Sequence, residues 1–283
     1  MSEIIVGVST AGPASEAAVR WAAERAVSTG VVLRLVHVID GAIPATGDGQ
    51  LLLAAQSAAR GCLDSATETA ATAAPGVETT VVLEQGDPVE VFDRLSKGAE
   101  LLVVGSDWHG GKRASRRGVH SLRIAAGSHS PVAVIPDIDV SGRRGVAVGV
   151  DGSEASTRAL VFAADEARRT GEPLIAVHSW DVALMVGGEY GYGVAMIASD
   201  DLRAAAAELL DDALLPIEAQ HPELEIVREV VAGDPVQALA DAADEARLLV
   251  VGSHGRGALA RFLLGSVSHG VLAHLEGPTV VVR

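Results

Sequence analysis

Apolar residues in this chain come in short unbroken runs rather than in alternation. EIIVGV (3–8), LRLVHVI (33–39), ELLVV (100–104), VAVGV (146–150) and LLVVG (248–252) carry few polar positions. That is how strands read when both faces are covered in a parallel sheet. LLLAAQSAARGCLDSATETAATAA (51–74) has the pattern of an amphipathic helix that packs by one side. In the second half the pattern predicts strands at Val146–Val150, Leu174–Val177, Leu224–Val231, Leu248–Val251 and Thr279–Val282. It predicts helices at Thr157–Thr170, Leu202–Glu218, Pro235–Glu245 and Ser266–Leu275. Alternating strands and helices specify an α/β fold, with right-handed crossovers and helices on both faces of a parallel sheet.

The chain also repeats itself. GDPVEVFDRLSKGAELLVVGS, from Gly86, returns as GDPVQALADAADEARLLVVGS, from Gly233. IIVGVSTAGPAS (4–15) answers VAVGVDGSEAS (146–156), WAAERAVSTG answers FAADEARRTG, LRLVHVID answers LIAVHSWD, and SPVAVIP answers GPTVVVR. A repeat this long means two copies of a domain of about 140 residues, not a solenoid. The joint falls near PDIDVSGRRG (136–145), which gives domains at 1–138 and 145–283. The GDP triplets read as strand-to-helix turns in which Gly bends, Asp caps and Pro opens the helix.

Composition narrows the function. The net charge of −15 and pI near 4.9 exclude a general nucleic-acid or anionic-membrane binder, which carries a basic footprint. Cys62 is the single cysteine, no apolar run approaches the length of a membrane span, and MSEIIVGV enters a strand at once. The expected compartment is the cytoplasm.

VGSHGRGALARFLLGS (251–266) places Gly252, Gly255 and Gly265 around a helix-friendly run and follows Gly265 with Ser266. On this local pattern the glycines serve either a phosphate or a simple turn. Ligands of such sheets sit at the carboxyl ends of strands, where strand order reverses. If the first and fourth strands of a half are neighbours, Asp151 and the Gly252 loop flank one crevice. His37 and His178 end the second strand of each half without another ligand type at metal spacing, so they read as histidines that bond locally.

VGVDGSEAS (148–156), VHSW (177–180), GDP (233–235) and VVGSHGRGALARFLLGSVSHGVLAHLEGPTVVV (250–282) together resemble the universal stress protein family, over nearly all of both halves. Residues 252, 255, 265 and 266 match the glycine and serine spacing of its ATP-binding members. The resemblance implies two tandem doubly wound domains of the adenine nucleotide alpha hydrolase-like type, each a five-stranded parallel sheet with helices on both faces. It also implies bound ATP with a divalent metal, Mg²⁺ or Mn²⁺, and pairing of domains through their last strands. Carried onto this sequence, Gly149, Asp151 and Ser179 would meet the adenosine part, while Gly252, His254, Gly255, Gly265, Ser266, Val267 and Ser268 would line ribose and phosphates. With the fold around them, the glycines then read as a triphosphate cradle.

The first half departs from this pattern. Ser9 stands where the second half has Asp151, Trp108 where it has Gly255, and Val119 where it has Ser266, although Gly105 and Gly118 keep their places. The expected result is a weak or empty nucleotide site. Lys112, Arg113, Arg116 and Arg117, with His109 and His120 nearby, form either a solvated basic loop or a seat for another anion. GGEYGYG (187–193) could shield a base through Tyr190 or Tyr192, or be an ordinary loop. No Walker lysine or general base is legible, so the reading is a regulatory ATP-binding module. A slow ATP hydrolase and a nucleotide-free interaction scaffold are the alternatives. Short apolar strands at the end of each half imply pairing within the chain and leave room for a homodimer.

Overall fold

A computed structural model describes residues 2–9, 12–106, 118–180, 191–255 and 264–283. The chain divides into two compact units, Met1–Ile138 and Asp139–Arg283. In the first, β1 (Glu3–Gly7), α1 (Pro13–Thr29), β2 (Val32–Asp40), α2 (Ala42–Ala45) and α3 (Gly49–Ala73) lead into β3 (Thr79–Gly86). Then come α4 (Pro88–Ser96), β4 (Leu101–Ser106), α5 (Gly118–Gly127) and β5 (Val132–Pro136). All five strands run parallel in the order β3-β2-β1-β4-β5.

The second unit repeats this plan with β6 (Val146–Gly149), α6 (Glu154–Thr170), β7 (Leu174–Trp180), α7 (Gly191–Gln220) and β8 (Ile226–Ala232). It closes with α8 (Pro235–Glu245), β9 (Leu248–Gly252), α9 (Ser266–Ala273) and β10 (Thr279–Val282), in the parallel order β8-β7-β6-β9-β10. In each unit the chain winds outward from its first strand and then crosses back to the other side, so strand order reverses between β1 and β4 and between β6 and β9. A crevice opens at the carboxyl ends of those two neighbours.

Sequence chemistry accounts for the elements. Val, Leu and Ile fill the strands: Ile4, Ile5, Leu33, Leu35, Leu101 and Leu102 are fully buried in the first sheet. The helices that cover them bury mostly alanine, at Ala18, Ala22, Ala23 and Ala26 in α1 and at Ala159, Ala163, Ala164 and Ala167 in α6. Small residues at these positions bring helix backbones close to the sheet. α3 buries Ala59, Leu63, Ala66 and Ala70 at helical spacing and leaves Leu51 and Leu53 exposed.

The two GDP turns form as the sequence predicts. Gly86 and Gly233 take φ of 138° and 130°, and Asp87 and Asp234 each accept from the backbone N–H two residues on, at 2.7 Å. Other boundaries move. α6 starts at Glu154 rather than Thr157, because Ser153 Oγ accepts from the Ser156 N–H at 3.1 Å and caps the helix earlier. β7 runs on to Trp180, held by pairing with Ala232 of β8. α7 begins at Gly191, eleven residues before the predicted Leu202. Among the described residues no helix is long and apolar enough to cross a membrane.

Residues 139–144 belong with the second unit. Arg143 Nη1 donates to the carbonyls of Ala243 (2.7 Å) and Glu276 (2.6 Å), and Nη2 donates to Asp244 Oδ1 at 3.2 Å. Arg143→Met strips two carbonyls of a charged donor, and we expect a loss of about 2 kcal/mol. The melting temperature of the second unit should fall by about 6 °C. Calorimetric melting of the full chain checks this, and an unchanged profile would contradict the staple.

Candidate functional site

In the second unit the crevice at the strand ends is a cavity of about 350 Å³. The end of β6 delivers Gly149, followed by Val150 and Asp151; the end of β7 delivers Val177, His178 and Ser179. The end of β9 adds Val251 and Gly252, followed by His254 and Gly255, and the head of α9 closes it with Gly265, Ser266, Val267 and Ser268. All ten residues assigned to the site from sequence therefore line one cavity. Pro235, Ala238 and Leu239, at the start of α8, line it as well and were not anticipated. Their signal was the GDP turn, which starts α8 at a strand's carboxyl end, but only the fold shows that α8 packs over Gly149 of β6.

The geometry separates the roles of the glycines. A Cβ on Gly252 would lie 2.8 Å from the carbonyl carbon of Ala155 and 3.0 Å from the Ser156 nitrogen, and one on Gly105 would lie 2.5 Å from the Ala14 oxygen. Helix backbone approaches both positions, so packing alone accounts for these two glycines. Gly149 lies under Leu239, whose methyl groups would stand 3.2 Å from a Cβ. At Gly255 a Cβ would come within 2.6 Å of Asp151 Oδ2, and at Gly265 within 3.3 Å of His254 Cα. These last two keep the space around the carboxylate and the head of α9 open.

Polar groups are arranged around that space. Asp151 Oδ1 accepts from the Ser153 N–H at 2.9 Å, and the Asp151 N–H donates to Ser156 Oγ at 3.4 Å. Gly265 N-caps α9 with no side-chain capping bond, so the first-turn N–H groups and Ser266 are presented at the cavity. Ser268 Oγ donates to the Gly252 carbonyl at 2.6 Å and ties α9 to β9. His254 Nδ1 meets Ser253 Oγ at 3.0 Å, while its Nε2 is buried with no hydrogen-bond partner among the described residues. Among the described residues no group of three or more His, Cys, Asp or Glu could hold a metal by itself.

His178 Nδ1 donates to the Val150 carbonyl at 2.6 Å, and His37 Nδ1 to the Val8 carbonyl at 2.8 Å. Each bonds the neighbouring strand, and each also lines its unit's cavity. Burial pushes the His37 pKa below the ordinary imidazole value, offset in part by the Val8 carbonyl. The folded state therefore prefers the neutral ring. Its contribution to stability is present above the unfolded pKa and is lost as pH falls through the lowered folded pKa. Acid unfolding of the first unit is expected to be less steep in His37→Asn than in the native chain, measured by denaturant melts between about pH 7 and pH 5. Equal slopes would contradict it.

The first unit holds a matching cavity, also of about 350 Å³, with Ser9 in place of Asp151 and Phe92 in place of Leu239. Phe92 lies over Gly7, its ring carbon 2.9 Å from where a Cβ would stand. Trp108, His109, Lys112, Arg113, Arg116 and Arg117, the side chain of Val119, and Tyr190 with the side chain of Tyr192 lie outside the described residues.

Comparison with known proteins decides the family. The universal stress protein family model matches residues 1–136 and again 142–283. The chain belongs to the universal stress protein family. Its relatives include a universal stress protein of Mycobacterium tuberculosis, 33% identical over 296 residues that cover 99% of this chain and 96% of the relative. Another, from Mycolicibacterium smegmatis, is 31% identical over 290 residues, covering 99% and 96%. Among solved structures, a universal stress protein from Archaeoglobus fulgidus aligns over 99% of this chain and 96% of its own, with a TM-score of 0.72 and 20% identity. That likeness shows the fold. This universal stress protein is thus a tandem of two α/β units, as the internal repeat required.

Proposed function

We propose that the second unit of this universal stress protein binds ATP and that its occupancy regulates conformation or partner choice in the cytoplasm. One observation carries the reading: a single cavity joins the Asp151 carboxylate to the uncapped head of α9 across the point where strand order reverses. A carboxylate accepts from ribose hydroxyls or the adenine amine, and helix N–H groups with Ser266 suit phosphate oxygens. At about 350 Å³ the cavity has the size of a small-molecule site. The openings kept by Gly255 and Gly265 leave backbone within reach of a phosphate. Asp151 is the one carboxylate among the described lining residues. Mg²⁺ or Mn²⁺ would be held mainly by the phosphates and water. The first unit, with Ser9 for Asp151, binds nucleotide weakly or not at all.

A binding module fits better than an enzyme here. Asp151 already accepts from Ser153, and the described lining carries no second carboxylate to pair with it as acid and base. Hydrogen exchange of the full chain with and without ATP and Mg²⁺ tests the reading. We expect protection at the ends of β6 and β9 and at the head of α9. Identical exchange in both states would refute it.

A further inference from the structure

Each unit ends its sheet in a strand with one neighbour, β3 beside β2 and β8 beside β7. Among the described residues no other strand pairs with either. Backbone bonds at the two ends of β3 fix which of its groups face outward. The Leu33 N–H donates to the Glu78 carbonyl at 2.8 Å, and the Gly41 N–H donates to the Gly86 carbonyl at 3.1 Å. Backbone groups alternate in direction along a strand, so Thr80, Val82 and Glu84 also turn theirs toward β2, while Thr79, Val81, Leu83 and Gln85 turn theirs away. In β8 the Leu174 N–H donates to the Glu225 carbonyl and the Gly233 N–H to the Trp180 carbonyl, both at 2.9 Å. There Ile226, Arg228, Val230 and Ala232 are the residues that face outward.

The two edges are guarded differently. Native edge strands are commonly blunted by charges. β8 carries Arg228 and Glu229 at its middle, with Arg228 Nε donating to Asp211 Oδ1 at 2.8 Å and Nη2 to Glu218 Oε1, both on α7. TTVVLEQ (79–85) has no Pro or Gly and one charge, Glu84, which Arg94 of α4 pairs at 3.0 Å. Val81 in this stretch is 50% exposed.

A second copy of the same strand fits this edge. Turned antiparallel about a two-fold at Val82, it sets Val81 opposite Leu83 and Thr79 opposite Gln85, so the outward N–H and C=O groups of each copy meet those of the other. The closer, non-hydrogen-bonded pairs are then Val82 with Val82 and Thr80 with Glu84. No like charges stand directly opposite each other, in a chain whose net charge is −15. The same two-fold on β8 would set Glu229, which the repeat aligns with Val82, against a second Glu229. We propose that β3 is a self-association surface, through which two copies of the chain join their first units by antiparallel pairing of residues 79–85. Glu229 bars β8 from the same contact.

Sedimentation of the full chain between about 1 and 200 µM tests this. A reversible dimer is expected, and amide hydrogen exchange at Thr79, Val81, Leu83 and Gln85 should be slower at the high end of that range than at the low end. Val82→Glu, which installs the second unit's own residue, should weaken the dimer at least about tenfold, because it sets two carboxylates against each other. Val81→Lys should weaken it to a similar extent by placing a charge at each of its two pairs with Leu83. If neither variant folds, the concentration dependence of exchange in the native chain decides alone. A chain that stays monomeric overturns the proposal and leaves the edge to a strand of another protein. A dimer that the folded variants leave intact, or protection that spares residues 79–85, overturns it as well.

Discussion

Gly255→Trp in the second unit is expected to lower ATP affinity by at least about 100-fold, or about 2.7 kcal/mol. The substitution gives the second unit the residue that the first carries at the matching position. Its Cβ alone would fall 2.6 Å from Asp151 Oδ2, so the carboxylate has to move before the indole is placed. Asp151 holds the Ser153 N–H, and Ser153 in turn caps α6 through the Ser156 N–H. Displacing Asp151 therefore disturbs the head of α6 as well as the proposed adenosine contact, while the ring takes up space needed by the ligand. Asp151→Ser removes the charge without adding bulk. It should cost about tenfold, the worth of one charge-assisted hydrogen bond. Isothermal titration of both variants separates steric loss from electrostatic loss. Native affinity in Gly255→Trp would place the nucleotide elsewhere.

Gly252→Ala should act on stability, and so should Gly105→Ala in the first unit. The added methyl of Gly252→Ala meets the Ala155 carbonyl carbon at 2.8 Å and its oxygen at 2.9 Å, and that of Gly105→Ala meets the Ala14 oxygen at 2.5 Å. These are backbone atoms in the first turns of α6 and α1, which cannot swing aside as a flexible side chain can. Overpacking of this kind costs about 3 kcal/mol. The affected unit should melt about 10 °C lower. A native melt combined with lost ATP binding in Gly252→Ala would mean that the glycine serves the ligand rather than the helix.

These glycines mark how far the sequence could be read. The unbroken apolar runs specified strands covered on both faces, the repeat specified two units, and the GDP spelling specified two capped helix starts. The gathering of Asp151 with Gly252, His254, Gly255 and residues 265–268 followed once the first and fourth strands of a half were neighbours, as β6 and β9 are. What stayed hidden depends on partners distant in sequence. Gly252 is tight because α6, nearly a hundred residues earlier, leans on it. Leu239 covers Gly149 from another crossover. The earlier start of α6 rests on Ser153, a good cap that the sequence left outside the helix. Phe92 carries no site signal in the sequence, and its place over Gly7 in a second cavity emerges only from the fold.

The asymmetry of the two units is the central claim, and counting sites tests it most directly. Full-length protein, freed of nucleotide by denaturation and refolding and checked by chromatography, is titrated calorimetrically with ATP in the presence of Mg²⁺. The account predicts a single site per chain, weakened by Asp151→Ser and abolished by Gly255→Trp. Two equivalent sites, or none, would contradict it.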